Sequence, residues 1–185
     1  MAQAVFFFIR HMTLLSFPPD MISWKGEEGH MAFIHVNGFD LYYEVHGMGS
    51  PLVMLHGNGE DHTTFDTLCA ALQDRFQIYL FDTRGHGKST PVSEYHYSDM
   101  AQDMTEALIQ LFDGPIDLLG FSDGGIIALF LAIWYPQLVR RMILCGANYH
   151  PYGIKEEGRR DMRAEYARSG DPRMAMMLEE PLLTK

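Results

Sequence analysis

The chain has 185 residues, 47% of them hydrophobic and 21% charged, which is the balance of one globular domain and excludes a disordered segment. A net charge of −10 and a pI near 5.2 argue against nucleic acid or an anionic membrane surface as partners. The basic residues Arg159, Arg160 and Arg163 are interleaved with acids and read as a solvated helix face.

Cys69 and Cys145 lie far apart in apolar segments, the pattern of buried, reduced thiols in a cytoplasmic protein. Their spacing supports neither a disulfide nor a metal site, and no cofactor motif stands elsewhere in the chain. Residues 4–9 are apolar, but Arg10 and His11 interrupt the run and Pro18-Pro19 follow. That order is neither a signal peptide nor a bilayer span, so residues 1–30 are expected to be a dispensable leader, with a weak membrane anchor as the alternative.

Regular patterning begins at Met31. Residues 32–36 and 39–45 flank Asn37-Gly38 and predict a β-hairpin, because Asn-Gly accepts the positive φ angles of a tight turn. Residues 51–55 predict a short apolar strand covered on both faces. Phe65, Leu68, Cys69 and Leu72 recur at helical spacing behind Thr63 or Thr64 as cap, and residues 76–81 predict the next strand. Ser98 is the expected cap of a helix with the stripe Met100, Met104, Leu108, Leu111 and Phe112. Residues 116–119 predict a strand, 126–135 a helix apolar nearly all round, and 142–145 a sixth strand. Alternating strands and helices imply an α/β fold with a mostly parallel sheet and helices on both faces. Residues 155–178 read as a charged, Met-rich helical segment that breaks this rhythm.

Three motifs follow predicted strands, at the sheet end where α/β folds place ligands. Gly120-Phe121-Ser122-Asp123-Gly124-Gly125 fits G-x-S-x-G between a strand and a helix, the context of a nucleophile elbow. Glycines two positions either side of Ser122 let the two backbones pass closely, and the hydroxyl stands at a helix N-terminus. The competing reading is a plain Gly-rich strand–helix turn. His56-Gly57-Asn58-Gly59-Glu60-Asp61 offers backbone N–H groups for an oxyanion hole; His62 stands where a dinucleotide fingerprint needs its third glycine. The polar loop Asp82-Thr83-Arg84-Gly85-His86-Gly87-Lys88-Ser89 reads as structural.

In this order and spacing the three motifs resemble the α/β-hydrolase superfamily, over about residues 33–146. The resemblance implies Ser122 as nucleophile and the Asn58 and Asp123 backbone N–H groups as oxyanion donors. Gly120 and Gly124 are the elbow glycines, and the tail after Tyr149 is the start of a helical cap. It implies hydrolysis of a small acyl substrate through an acyl-enzyme, since relatives acting on halides or epoxides carry aspartate at the elbow. The family's acid and histidine come after further strands, and this chain stops first: only His150 follows Ser122, and Asp161 and Glu156 sit in the cap-like tail. The chain is therefore expected to be C-terminally truncated and inactive alone, with a core over residues 31–150 and a cap start over 151–185. The alternative is a noncatalytic fragment that binds a small ligand or a partner. A bare outer edge on the sixth strand would favour self-association, unless Met174, Met176, Met177 and Leu178 fold over it.

Overall fold

The computed structural model describes residues 7–8, 31–148 and 153–179. Asn37 and Gly38 both take positive φ, and the resulting turn joins β2 (Met31–Val36) to β3 (Phe39–His46) in antiparallel register, with Val36 opposite Phe39. β4 (Ser50–Leu55) and β5 (Phe76–Phe81) run parallel, and β5 also pairs antiparallel with β3. β6 (Ile116–Phe121) lies parallel between β4 and β7 (Val139–Cys145). All six expected strands form, in a seven-stranded sheet of order β1-β7-β6-β4-β5-β3-β2, where β1 is Phe7–Phe8.

The additional strand is β1 (Phe7–Phe8), which pairs antiparallel with Leu144 and Ile143 of β7. The edge expected to be bare therefore carries a short ladder at these two positions. Of the expected leader, only these two residues are described. Among the described residues, no helix is long and apolar enough to cross a membrane.

Side-chain alternation divides the core between the two faces. Val53, Leu55, Tyr79, Phe81 and Leu118 pack against α2 (Tyr97–Leu111) and α3 (Asp123–Trp134), whereas Leu52, Met54, Ile78, Leu80 and Leu119 pack with Phe65 and Cys69 around α1 (Asp66–Leu72). On β7, Met142 and Leu144 join the first cluster; Ile143, of opposite parity, stays 40% exposed. α3 is buried through Leu131, but Ile133 and Trp134 emerge to solvent, so it is less enclosed than its composition predicts. Cys69 is buried as expected and Cys145 only half-buried, and neither forms a disulfide.

Three local details correct the sequence reading. The Asp61 carboxylate, not Thr63 or Thr64, caps the 3-10 turn that precedes α1, accepting from the Thr63 N–H. Ser98 lies inside α2: the buried Tyr97 starts the helix, and His96 occupies the cap position without capping it through its side chain. The tail forms two helices, α4 (Glu156–Ser169) and α5 (Pro172–Glu179), because Gly170 turns left-handed at φ 67° and proline then starts the next helix.

The loop after β5 is fastened to α2 through Arg84. Its guanidinium grips the buried Asp103 carboxylate with bonds of 2.5 and 2.6 Å and lies over the Phe39 ring. We predict that Asp103→Ala costs about 3–5 kcal/mol, because it leaves a buried guanidinium without its main partner. The apolar pair Arg84→Met with Asp103→Leu should cost clearly less, and urea denaturation of the three proteins distinguishes the outcomes.

Candidate active site

The centre of the site is a backbone distortion. Ser122 adopts φ 51° and ψ −116°, and with Asn37 of the hairpin it is one of two non-glycine residues at positive φ among those described. Such a conformation costs on the order of 1–3 kcal/mol and persists only where its surroundings enforce it. Here the Ser122 N–H donates to the Cys145 carbonyl at 2.8 Å, while its own carbonyl accepts from Gly125 and Ile126 at 2.9 and 3.2 Å. Close packing does the rest. A Cβ at Gly124 would stand 2.0 Å from the Leu55 carbonyl oxygen, and one at Gly120 would stand 2.5 Å from the Gly124 oxygen. Gly125, which the sequence reading did not single out, is equally constrained, 2.6 Å from the Ala147 Cβ.

The loop after β4 lies against this turn: a Cβ at Gly57 would be 3.1 Å from the Ser122 Cβ. The Glu60 carboxylate folds back to accept from the Gly57 N–H at 2.9 Å. His56 holds the start of the loop. The Thr83 N–H donates to its Nε2 at 3.1 Å, so the ring proton resides on Nδ1 and is donated to the Gly57 carbonyl at 2.8 Å. Burial keeps the His56 imidazole below its ordinary range, consistent with this neutral tautomer. His62 holds the far end, its backbone N–H and Nδ1 both meeting Asp82 Oδ1, at 2.7 and 2.8 Å. Asp82 Oδ2 meanwhile accepts from the Lys88 N–H at 2.8 Å.

Asp123 begins α3, so its N–H has no intrahelical acceptor. Its carboxyl is buried. Burial pushes the pKa up to about 6, the Glu60 charge adds to the shift, and a hydrogen bond from Tyr97 opposes it.

The cap-like tail crosses the same end of the sheet. Asn58 donates its side-chain amide to the Arg173 carbonyl at 3.3 Å and to the Met177 sulfur at 2.9 Å, and Met176 is buried in the main core cluster. These contacts place α5 over the loop after β4, rather than along the β7 edge; the side chains of Met174 and Leu178 lie outside the described residues. His150 does too. Among the described residues, no side chain is hydrogen-bonded to the Ser122 hydroxyl. Arg84 and His86 have structural bonds in their loop, as their sequence context implied.

A family model described as the alpha/beta hydrolase fold matches residues 50–172. The chain belongs to this family. The mouse serine hydrolase BPHL is 34% identical over 135 residues, 69% of this chain and 46% of that protein. An uncharacterized protein of Mycobacterium tuberculosis is 33% identical over 119 residues, 64% of this chain and 35% of its own. Among solved structures, a thermophilic esterase from Thermogutta terrifontis superposes with a TM-score of 0.62 at 24% identity, covering 83% of this chain and 68% of that one, a likeness of fold. The chain thus spans less than half the length of these two curated relatives.

Two outcomes check the site. Gly124→Ala should cost about 3 kcal/mol or more, because even a methyl group meets backbone that cannot give way, and Gly124→Val should cost more still; thermal melts followed by circular dichroism measure both. The pH test has a definite sign. Asp123 carries a raised folded pKa, so its contribution to stability is full below the unfolded value and lost as pH rises through about 6, an effect of order 2–3 kcal/mol. Asp123→Asn should therefore be more stable than the native chain at neutral pH. Its advantage should shrink between about pH 6 and pH 4 when denaturation is followed across that range.

Proposed function

We propose that the chain carries the nucleophile half of a serine hydrolase that acts on a small ester-like substrate through an acyl-enzyme at Ser122. The observation that carries this reading is the positive-φ serine between Gly120 and Gly124, held at the mouth of a strand–helix turn. A structural serine has no need of that strain, whereas a nucleophile gains an exposed Oγ at a helix N-terminus. The Asn58 and Asp123 N–H groups are the oxyanion donors in this reading. Ser122 Oγ attacks the acyl carbon, the alcohol leaves with a proton, and water then releases the acid and restores the hydroxyl. That proton traffic needs a base, which no described residue provides through a hydrogen bond to Ser122. In this reading, activity depends on an acid and a histidine outside the described residues.

The chain as given should show at most trace turnover of p-nitrophenyl acetate or butyrate, since an oxyanion hole without a base leaves only residual catalysis. A longer form bearing the acid and histidine should hydrolyse both. In that form Ser122→Ala should lower kcat by about 10³-fold or more while the melting profile is retained. Robust hydrolysis by the chain alone, lost in Ser122→Ala, would place the base within the present sequence, with His150 the first residue to replace.

A further inference from the structure

Apart from the Asp123 carboxyl, two buried hydrogen-bond acceptors near the proposed acyl site, on His86 and Asn58, have no described partner. His86 is 5% exposed, and its Nδ1 donates to the Arg84 carbonyl at 3.0 Å, which leaves Nε2 as a bare lone pair. That Nε2 is sealed from solvent without a hydrogen bond among the described residues. The Asn58 side chain is oriented by its bond to the Arg173 carbonyl, so its Oδ1 faces away as an acceptor, and Oδ1 too is sealed and unpartnered. Buried acceptors in folded proteins find donors, because desolvating them unpaired is unfavourable.

Both atoms belong to one junction. The His86 ring lies 5.1 Å from that of His56, which begins the loop carrying Asn58. Arg173, in the first turn of α5, bonds Asn58 through its carbonyl; its Nη1 lies 3.9 Å from where a Gly59 Cβ would be, and its charge acts on His86. The guanidinium turns Nε and Nη2 to Asp171 at 3.0 and 2.6 Å, and neither acceptor is hydrogen-bonded to it. Its positive charge also disfavours a second cation there. The missing donors are therefore best supplied by neutral groups.

We propose that His86 Nε2 and Asn58 Oδ1 accept hydrogen bonds from the substrate, so that the site selects acyl groups bearing a hydroxyl or amide N–H over plain alkyl chains. This rests on the reading of Ser122 as the acyl acceptor. Because the Arg173 carbonyl in the first turn of α5 holds the Asn58 side chain, the donor reaches Asn58 Oδ1 when that turn lifts and is enclosed when it returns. A site built around such acceptors rejects an analogue that lacks the donor, since that analogue leaves them unpaired.

The test titrates the isotope-labelled full chain with two uncharged probes, methyl 3-hydroxybutyrate and methyl butyrate, of which only the first carries a donor, in amide and imidazole nitrogen spectra. Both should shift the Gly57, Asn58 and Asp123 amides, with the hydroxylated probe binding at least about tenfold more tightly and alone moving the His86 Nε2 resonance. In His86→Asn, which can keep a donor near the Nδ1 position but removes Nε2, much of this preference should disappear. Asn58→Ala, which retains the backbone N–H, should also reduce it. Equal binding of the two probes, or an unmoved Nε2 resonance in the native chain, would overturn the selectivity while leaving the acyl site standing. Absence of any shift around Ser122 with either probe would overturn the acyl-site reading as well.

Discussion

The packing of Gly124 against the Leu55 carbonyl is the constraint on which the site depends. It brings the N-terminus of α3 onto the end of β4, and a strand cannot turn into a helix at that distance through an ordinary backbone conformation. Ser122 absorbs the difference with φ 51°. The neighbouring glycines are consequences of the same closeness, because Gly120 meets the first turn of α3 and Gly125 meets Ala147 beyond β7. Four segments thus meet around one serine: the end of β4, the end of β6, the start of α3 and the chain leaving β7. The hydrophobic burial of α3 through Leu131 supplies the force that holds the strained turn closed.

A second centre, Asp82, does for the loops what the glycines do for the turn. Its side chain is fully buried and accepts from the His62 backbone and ring and from the Lys88 backbone, so a single carboxylate ties the loop after β4 to the loop after β5. A Cβ at Gly87 would stand 2.1 Å from Asp82 Oδ2, which explains the glycine at that position. Arg84, two residues beyond Asp82, then anchors the second loop to α2. The middle motif is thus a clasp, and its conspicuous charges are satisfied internally.

Much of this was legible because short-range chemistry decided it. Asn37-Gly38 permits only a few turns, the apolar runs at 51–55 and 76–81 match strands buried on both sides, and G-x-S-x-G carries its steric meaning in its own spacing. The break at Gly170 was also readable, since Gly followed by Asp-Pro stops one helix and starts another; the Met-rich composition of the segment masked it. Other features depend on partners far away in the chain. Asn58 meets Arg173 and Met177 across 115 and 119 residues, and Phe7–Phe8 meet β7 at the opposite end of the sequence. No periodicity encodes such pairings. The choice of Asp61 over Thr63 as cap turned on which residue's backbone was extended, a property of the tertiary turn rather than of propensity.

The division of labour within the site follows from where its supports lie. The contacts that force the Ser122 conformation come from residues between Leu55 and Ala147, and those that fix the loop after β4 come from residues between His56 and Lys88. The hydroxyl and its two candidate oxyanion donors are therefore preorganised by this segment of the fold alone. General-base function is different in kind. It requires a proton acceptor within hydrogen-bond reach of Oγ, and no described histidine bonds to it: His56 uses both nitrogens in backbone bonds, His62 meets Asp82 and Glu44, and His86 bonds the Arg84 carbonyl through Nδ1, with its Nε2 unpartnered. In the proposed reading, electrophilic stabilisation and proton transfer can be supplied by different segments of the fold. The negative charge of Glu60 beside Asp123 gives this arrangement its electrostatic bias. In the proposed reading, an oxyanion here depends on directed N–H dipoles for its stabilisation, since the nearby carboxylate opposes it.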